Sequence, residues 1–121
     1  MKFTYTIVPL IFVVLPLFAE ETHTTRSPGD MTVEERATMM KSATQYNNCV
    51  YTVALENLAS HPDIRRVADV AMGECKSHLD ELSEQMLDWG FEENFATGFT
   101  RNVRDRAARK ILPELAIRST N

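Results

Sequence analysis

The chain contains two cysteines, Cys49 and Cys75, which lie symmetrically about Pro62. Each is about 13 residues from the proline, which corresponds to roughly 20 Å along an α-helix. If two helices meet at residues 60–63 and run back antiparallel, residues equidistant from the turn face each other. The spacing therefore predicts a helical hairpin held by one intramolecular disulfide. An intermolecular disulfide is the alternative.

The N-terminal residues have the pattern of a secretion signal. Lys2 supplies a positive charge, residues 7–18 form an apolar run, and Ala19 suits the position before a cleavage site. The run is shorter than the roughly 20 residues that a membrane-spanning helix needs. We therefore predict a signal peptide over residues 1–19, with a membrane anchor as the alternative. The mature protein would be periplasmic or secreted, and disulfides persist in those compartments.

The remainder of the chain is predicted to form one helical domain after a short leader. Residues 20–31 are polar and lack periodicity, which indicates a flexible leader. Residues 32–121 carry apolar side chains at helical spacing and show no strand-like alternation. The predicted fold class is all-α, a disulfide-stapled antiparallel helical hairpin with a third helix packed across it.

The first two helices are predicted from their capping residues and apolar faces. Helix one covers residues 32–59 and begins with a capping box formed by Thr32 and Glu35. Helix two is predicted as one continuous element over residues 62–89, with Gly90 as the glycine that follows its C-terminus. Apolar residues occupy one side of each helix and charged residues the other, as expected for helices that share a core.

The third predicted helix has a less regular pattern. Its apolar residues recur every four positions, so the apolar stripe winds around the helix: Phe91, Phe95, Phe99, Val103, Ala107 and Ile111. Pro113 predicts an end or a kink near Leu112, because proline lacks the backbone N–H that an interior helical position donates. A final short turn over residues 115–117 is expected.

Charge is segregated along the chain. The charged residues in 74–93 are all acidic except Lys76, whereas those in 101–118 are predominantly basic. The whole chain has a net charge of −4. This balance does not indicate nucleic-acid binding. Aromatic and arginine side chains are enriched at interface hot spots. Our candidate interaction surface is therefore Phe91, Phe95, Phe99, Arg101, Arg104 and Arg109.

Two other interpretations of this basic region remain open. The phenylalanines can form core while the arginines face water or pair with the acidic helix, because a two-helix hairpin needs something to cover its apolar side. Alternatively, the segment is a basic amphipathic helix that lies on an anionic membrane surface.

The sequence contains no recognisable catalytic or cofactor-binding motif. Cys75 and His78 have a spacing that can bind metal, but a closed zinc site needs four ligands and no second pair follows. The four glycines are scattered, so there is no phosphate-binding loop. We therefore predict no catalytic residues, no metal and no cofactor.

The pattern Tyr46-x-x-Cys49 with Ala71-x-x-x-Cys75, followed by an acidic stretch, covers residues 43–90. In this pattern the chain resembles small secreted helical-hairpin proteins of proteobacteria. The resemblance implies a periplasmic location and a helical hairpin, and no activity. By exclusion we predict a non-enzymatic protein-interaction module, such as an inhibitor, immunity protein, adaptor or chaperone, whose partner is another envelope or secreted protein. The alternative function is binding of anionic lipid through the basic C-terminal helix.

Overall fold

The structure, a computed structural model, describes residues 9–14 and 25–120. Residues 9–14 adopt neither helix nor strand, and their side chains are exposed. The rest of the predicted signal peptide, including Ala19, lies outside the described residues. Cleavage near Ala19 therefore stays a prediction.

Residues 25–120 form an all-α fold, as predicted, with no β-strand in that part of the chain. A 3-10 turn, Pro28–Asp30, precedes four helices. Their bounds are α1 Val33–Asn57, α2 Ile64–Glu74, α3 Lys76–Asp88 and α4 Glu93–Ser119. Because α2 and α3 follow each other with one residue between them, the molecule consists of three rods: α1, the α2–α3 rod, and α4.

The start of α1 has the predicted capping box. The Thr32 hydroxyl accepts a hydrogen bond from the Glu35 N–H at 3.1 Å, and the Glu35 carboxylate accepts one from the Thr32 N–H at 2.9 Å. These two contacts satisfy backbone donors that a helix N-terminus otherwise leaves unpaired. The sequence thus predicted this helix start to the residue.

The disulfide joins Cys49 of α1 to Cys75 at the end of α2, with the two Cα atoms 5.9 Å apart. The hairpin prediction and its intramolecular staple are therefore confirmed. The second rod begins at Ile64, two residues later than expected, because Asp63 caps it and its carboxylate accepts from the Arg65 N–H at 3.0 Å.

The prediction of one continuous second helix is wrong at Cys75. This residue has φ −92° and ψ 0°, outside the helical range, and it separates α2 from α3. Gly73, two residues earlier, weakens the helix at this point because glycine has low helix propensity. Cys75 is also fully buried, and its sulfur is bonded to Cys49 of α1, which constrains the position of the backbone at this residue.

The turn between α3 and α4 closes with the ending that Gly90 predicted. Gly90 has φ +93°, a conformation that glycine adopts without steric cost. The Gly90 N–H donates to the Leu87 carbonyl at 2.9 Å, and the Phe91 N–H donates to the Met86 carbonyl at 3.2 Å. This pair of hydrogen bonds defines a Schellman motif, which reverses the chain so that α4 runs parallel to α1.

An end of the last helix near Leu112, one of the two outcomes predicted from Pro113, is wrong, because α4 continues through Pro113 to Ser119. Pro113 and Arg109 are both exposed, so the carbonyl that Pro113 leaves without an N–H partner lies on the solvent side of the helix. Leu115 is fully buried. The burial of Leu115 packs the last turns against the other rods and offsets the loss of the hydrogen bond that Pro113 cannot donate.

The core consists of two clusters stacked along the three rods. The larger one contains the disulfide and joins α1, α2, Leu79 of α3 and the part of α4 from Val103 onward, and the smaller one lies near the α3–α4 turn. Their largest fully buried side chains are Tyr46, Leu82, Met86, Leu115, Val50, Val67 and Cys75. The apolar faces predicted for the first two helices are therefore the faces that the structure buries.

The described part of the leader differs from the flexible segment that we predicted over residues 20–31. The Arg26 N–H donates to the Gly90 carbonyl at 2.9 Å, and its guanidinium contacts both Glu35 carboxylate oxygens at 2.7 and 2.9 Å. The same guanidinium donates to the Trp89 carbonyl and lies 4.5 Å from the centre of the Phe91 ring. Arg26 thus ties the leader to α1 and to the α3–α4 turn. Residues 20–24 lie outside the described part of the chain.

Candidate functional site

The three phenylalanines of the predicted surface serve mainly as packing. Phe91 is only 3% exposed and packs beneath Arg26. Its ring lies 5.6 Å from that of Phe95 in an edge-on arrangement, and Phe95 and Phe99 are partly buried against the core. The structure therefore supports the alternative in which these aromatic residues form core. It does not unite them with the arginines in one exposed surface.

The arginines of the predicted surface are exposed on α4, together with two further cations. We call this set the basic face: Arg101, Arg104, Arg106, Arg109 and Lys110. Within residues 25–120 its one ion pair is between Arg104 and the neighbouring Asp105, at 3.7 Å. No ion pair joins α4 to the acidic α3 in that part of the chain. The cations therefore face water and leave their charge available.

Arg101 and Arg104 also stand at the mouth of a cleft of about 380 Å³ between α4 and the α2–α3 rod. Lys76 and Asp80 lie on the opposite wall and form an ion pair at 2.9 Å. Tyr46 of α1 lines the inner part of the cleft. The cleft opens where the second rod breaks at Cys75, so the sequence pattern that predicted a continuous helix gave no sign of it.

The Tyr46 hydroxyl is the unusual group in this cleft. The side chain is fully buried, and its hydroxyl has no hydrogen-bond partner among the described residues. Burial raises the pKa of Tyr46; the Arg104 charge opposes this effect and the Asp105 charge adds to it. The phenol is therefore neutral near pH 7 and can act as a hydrogen-bond donor.

A second groove runs between α1 and α4. Two adjoining clefts of about 350 and 330 Å³ share Asn47 and Lys110. Met40, which is 59% exposed, lies at one end, and Tyr51 at the other. The Asn47 side-chain oxygen is buried without a described partner. This groove gives the basic face an apolar border on the α1 side.

Sequence reasoning missed Tyr46 and Asn47 as candidate polar groups. Tyr46 lies on the apolar side of helix one, and this position is itself a signal, because a tyrosine buried in a core usually has a hydrogen-bond partner for its hydroxyl. Asn47 had no comparable signal, since an asparagine beside an apolar face is ordinarily solvated.

The described residues contain no group of three His, Cys, Asp or Glu side chains arranged to hold a metal ion. None of the described helices combines the length and the hydropathy required to cross a bilayer. No known protein family, curated protein or solved structure matches the chain. The resemblance to small secreted hairpin proteins therefore stays a prediction.

Proposed function

We propose that this chain is an exported, non-enzymatic interaction module that binds an acidic protein partner through the basic face of α4. The observation that carries the proposal is the concentration of five exposed cations on one helix, of which only Arg104 has an ion-pair partner in residues 25–120. Arg101, Arg104 and Arg109 belong to the surface predicted from sequence. Arg106 and Lys110 extend it toward α1.

The spacing of these cations supports a partner rather than a purely solvated surface. Arg106 and Lys110 are four residues apart, so they are neighbours on the helix surface, where like charges destabilise a helix by about 0.2–0.5 kcal/mol per pair. Within residues 25–120 no ion pair joins Arg106 or Lys110 to the acidic residues of α3. An acidic partner would relieve this repulsion and would be attracted over a distance of several ångströms.

Two observations support export. The Cys49–Cys75 disulfide is compatible with an extracytoplasmic protein, because such bonds are rare where thiols are kept reduced. The N-terminal sequence has the charge and apolar run of a signal peptide. The absence of a catalytic motif in the sequence is the reason for proposing binding rather than catalysis.

Anionic lipid is the alternative ligand for the same face. Juxtamembrane cations contribute about 1 kcal/mol each near an anionic surface, so the basic face is compatible with weak lipid attraction. An interfacial amphipathic helix, however, also buries an apolar side in the acyl region. The apolar side of α4 is already packed against α1 and the α2–α3 rod, with Val103, Ala107 and Ile111 buried there. This packing favours a protein partner.

The experiment is a capture of binding partners from an envelope extract with three versions of the exported, oxidised protein. The test variant is Arg106→Gln, Arg109→Gln and Lys110→Gln combined. The control variant removes the same charge from exposed arginines on α1 and α2, through Arg36→Gln, Arg65→Gln and Arg66→Gln. We expect one stoichiometric protein with the wild type and the control, and its loss with the test variant.

Vesicles of neutral and anionic lipid are tested in parallel with the same three proteins. Binding to anionic vesicles without capture of any protein would replace the proposal by the lipid alternative. Capture that the test and control variants reduce equally would show that net charge, and not the basic face, determines binding. Absence of binding in both assays would contradict the proposed function and its alternative.

A further inference from the structure

The cleft between α4 and the α2–α3 rod combines a buried donor that has no partner with two arginines at its mouth. We propose that it is a binding site for the carboxylate of a small organic acid, with the Tyr46 hydroxyl and the guanidinium groups of Arg101 and Arg104 as donors. The site shares Arg101 and Arg104 with the basic face, whereas Tyr46 belongs to the cleft alone. Loss of benzoate binding in Tyr46→Phe therefore tests the cleft without testing the protein partner.

The direction of Tyr46 follows from the arrangement of the rods. It is the only residue of α1 that lines this cleft, whereas every other lining residue belongs to α4 or to the α2–α3 rod. A side chain that starts on α1 and reaches a cleft between the other two rods reaches it with its tip. The hydroxyl therefore points toward the cleft, and the influence of the Arg104 charge on the Tyr46 phenol is consistent with this direction.

Leaving this hydroxyl unpaired is costly. Burying a hydroxyl without a hydrogen bond destabilises a protein, and buried polar groups in native proteins almost always have partners. The nearby Thr100 hydroxyl donates to the Thr97 carbonyl at 3.1 Å and makes no hydrogen bond with the Tyr46 hydroxyl. A ligand oxygen entering from the cleft would satisfy the Tyr46 hydroxyl.

The charges around the cleft select an anion. Three cations and one carboxylate line it, and Lys76 already pairs with that carboxylate, Asp80. Arg101 has no ion pair within residues 25–120, so its guanidinium is available to the ligand. The planar fork of a guanidinium matches the two oxygens of a carboxylate.

The size and lining of the cleft narrow the ligand further. A volume of about 380 Å³ lies at the lower end of the range for small-molecule sites. Met72 and Leu79 add apolar wall. Asp80 disfavours a doubly charged phosphate more than a singly charged carboxylate. An organic acid with a compact apolar part fits the small volume, the apolar wall and the presence of Asp80.

Access to the hydroxyl requires a movement at the mouth of the cleft, because the hydroxyl itself has no solvent-accessible surface. Arg101 and Arg104 are exposed. Exposed side chains change rotamer within picoseconds to nanoseconds, so both arginines can turn toward a ligand in the cleft without rearrangement of the helices.

The test is an NMR titration of the oxidised, exported protein with benzoate, with neutral benzamide as the matched probe and with inorganic phosphate. We expect saturable shifts of the Tyr46 ring and the Arg101 and Arg104 side chains with benzoate, and none with benzamide. Tyr46→Phe removes one hydrogen bond to a charged group and should weaken benzoate binding about tenfold or more. Arg101→Gln with Arg104→Gln should abolish it.

The control is Arg106→Gln with Lys110→Gln, which removes the same charge from α4 outside this cleft and should leave benzoate binding unchanged. Equal binding of benzoate and benzamide would overturn the assignment, as would tighter binding of phosphate than of benzoate. The proposal also fails if Tyr46→Phe retains wild-type affinity, or if no probe saturates up to about 10 mM. Each variant is first checked for a wild-type helical spectrum.

Discussion

Removal of the disulfide is the perturbation whose effect can be worked out most directly from the structure. Cys49 and Cys75 are separated by 26 positions and join α1 to the end of α2. Replacing both by alanine leaves no free thiol and no buried hydroxyl. In the chain-entropy description, opening a loop of this size lowers the free energy of unfolding by about 3.5 kcal/mol at 25 °C.

That loss is large compared with the stability of a domain of this size, which is typically about 5–15 kcal/mol. For a domain of up to roughly 100 residues, 1 kcal/mol corresponds to about 4–8 °C in the melting temperature. The double variant should therefore melt about 14–28 °C below the wild type. It should stay helical at low temperature, because both core clusters contain many apolar contacts besides the sulfurs.

The assay is thermal unfolding followed by circular dichroism at 222 nm, for the wild type with and without reductant and for the double variant. Reduced wild type and double variant should melt at similar temperatures, because both lack the same covalent link. A fall of only a few degrees in the double variant would refute the reasoning that the link between α1 and α2 is a major part of the stability.

Three further predictions concern single side chains. Tyr46→Phe should leave the melting temperature of the ligand-free protein unchanged or raise it, because it removes a buried hydroxyl that has no partner. Glu35→Gln should lower the free energy of unfolding at neutral pH. The hydrogen bond from Arg26 holds the pKa of Glu35 below its usual value, so the carboxylate stabilises the fold above about pH 4.3. This contribution disappears as the pH falls through the lower pKa of the folded state. Leu115→Ala should cost about 2–5 kcal/mol in chemical denaturation, since Leu115 is fully buried, whereas Ile117→Ala, at an exposed position, should cost little.

Each of these predictions has an outcome that would contradict it. A clear loss of stability in Tyr46→Phe would mean that the hydroxyl has a partner in the free protein. A difference in stability between wild type and Glu35→Gln that persists in strong acid would show that the effect does not come from ionisation of Glu35. Glu34→Gln in the same helical turn serves as the control. Equal effects at Leu115 and Ile117 would show that the helix beyond Pro113 does not pack against the core.

The parts of the fold that local rules determine could be predicted from sequence. The capping box at Thr32 depends on residues three positions apart, and the ending at Gly90 depends on one glycine with a positive φ. The staple followed from the symmetry of Cys49 and Cys75 about the turn. In each case the physical cause lies within a few residues or within one hairpin.

The features that depend on packing between rods were predicted wrongly or missed. The break at Cys75 reflects a sulfur held against α1, and the passage of α4 through Pro113 depends on the burial of Leu115. The direction in which Phe91 points depends on Arg26, a residue 65 positions away in a segment that we expected to be flexible. Sequence periodicity contains none of this information.

The candidate site shows the same division. The exposure of Arg101, Arg104 and Arg109 followed from helical periodicity, whereas the separation of these arginines from the phenylalanines did not. The cleft exists because three rods meet around Tyr46 near the break in the second rod. A linear pattern that treated the second rod as continuous had no means of predicting that space.

The central claim, that the basic face of α4 binds a protein partner, is tested most directly by photo-crosslinking in living cells. A photo-reactive amino acid replaces Arg109, which lies on the solvent side of α4 between the other cations, and in a second strain it replaces the exposed Arg65 of α2. The account predicts one discrete protein adduct from position 109 and none from position 65. No adduct from position 109, or the same adducts from both positions, would contradict it.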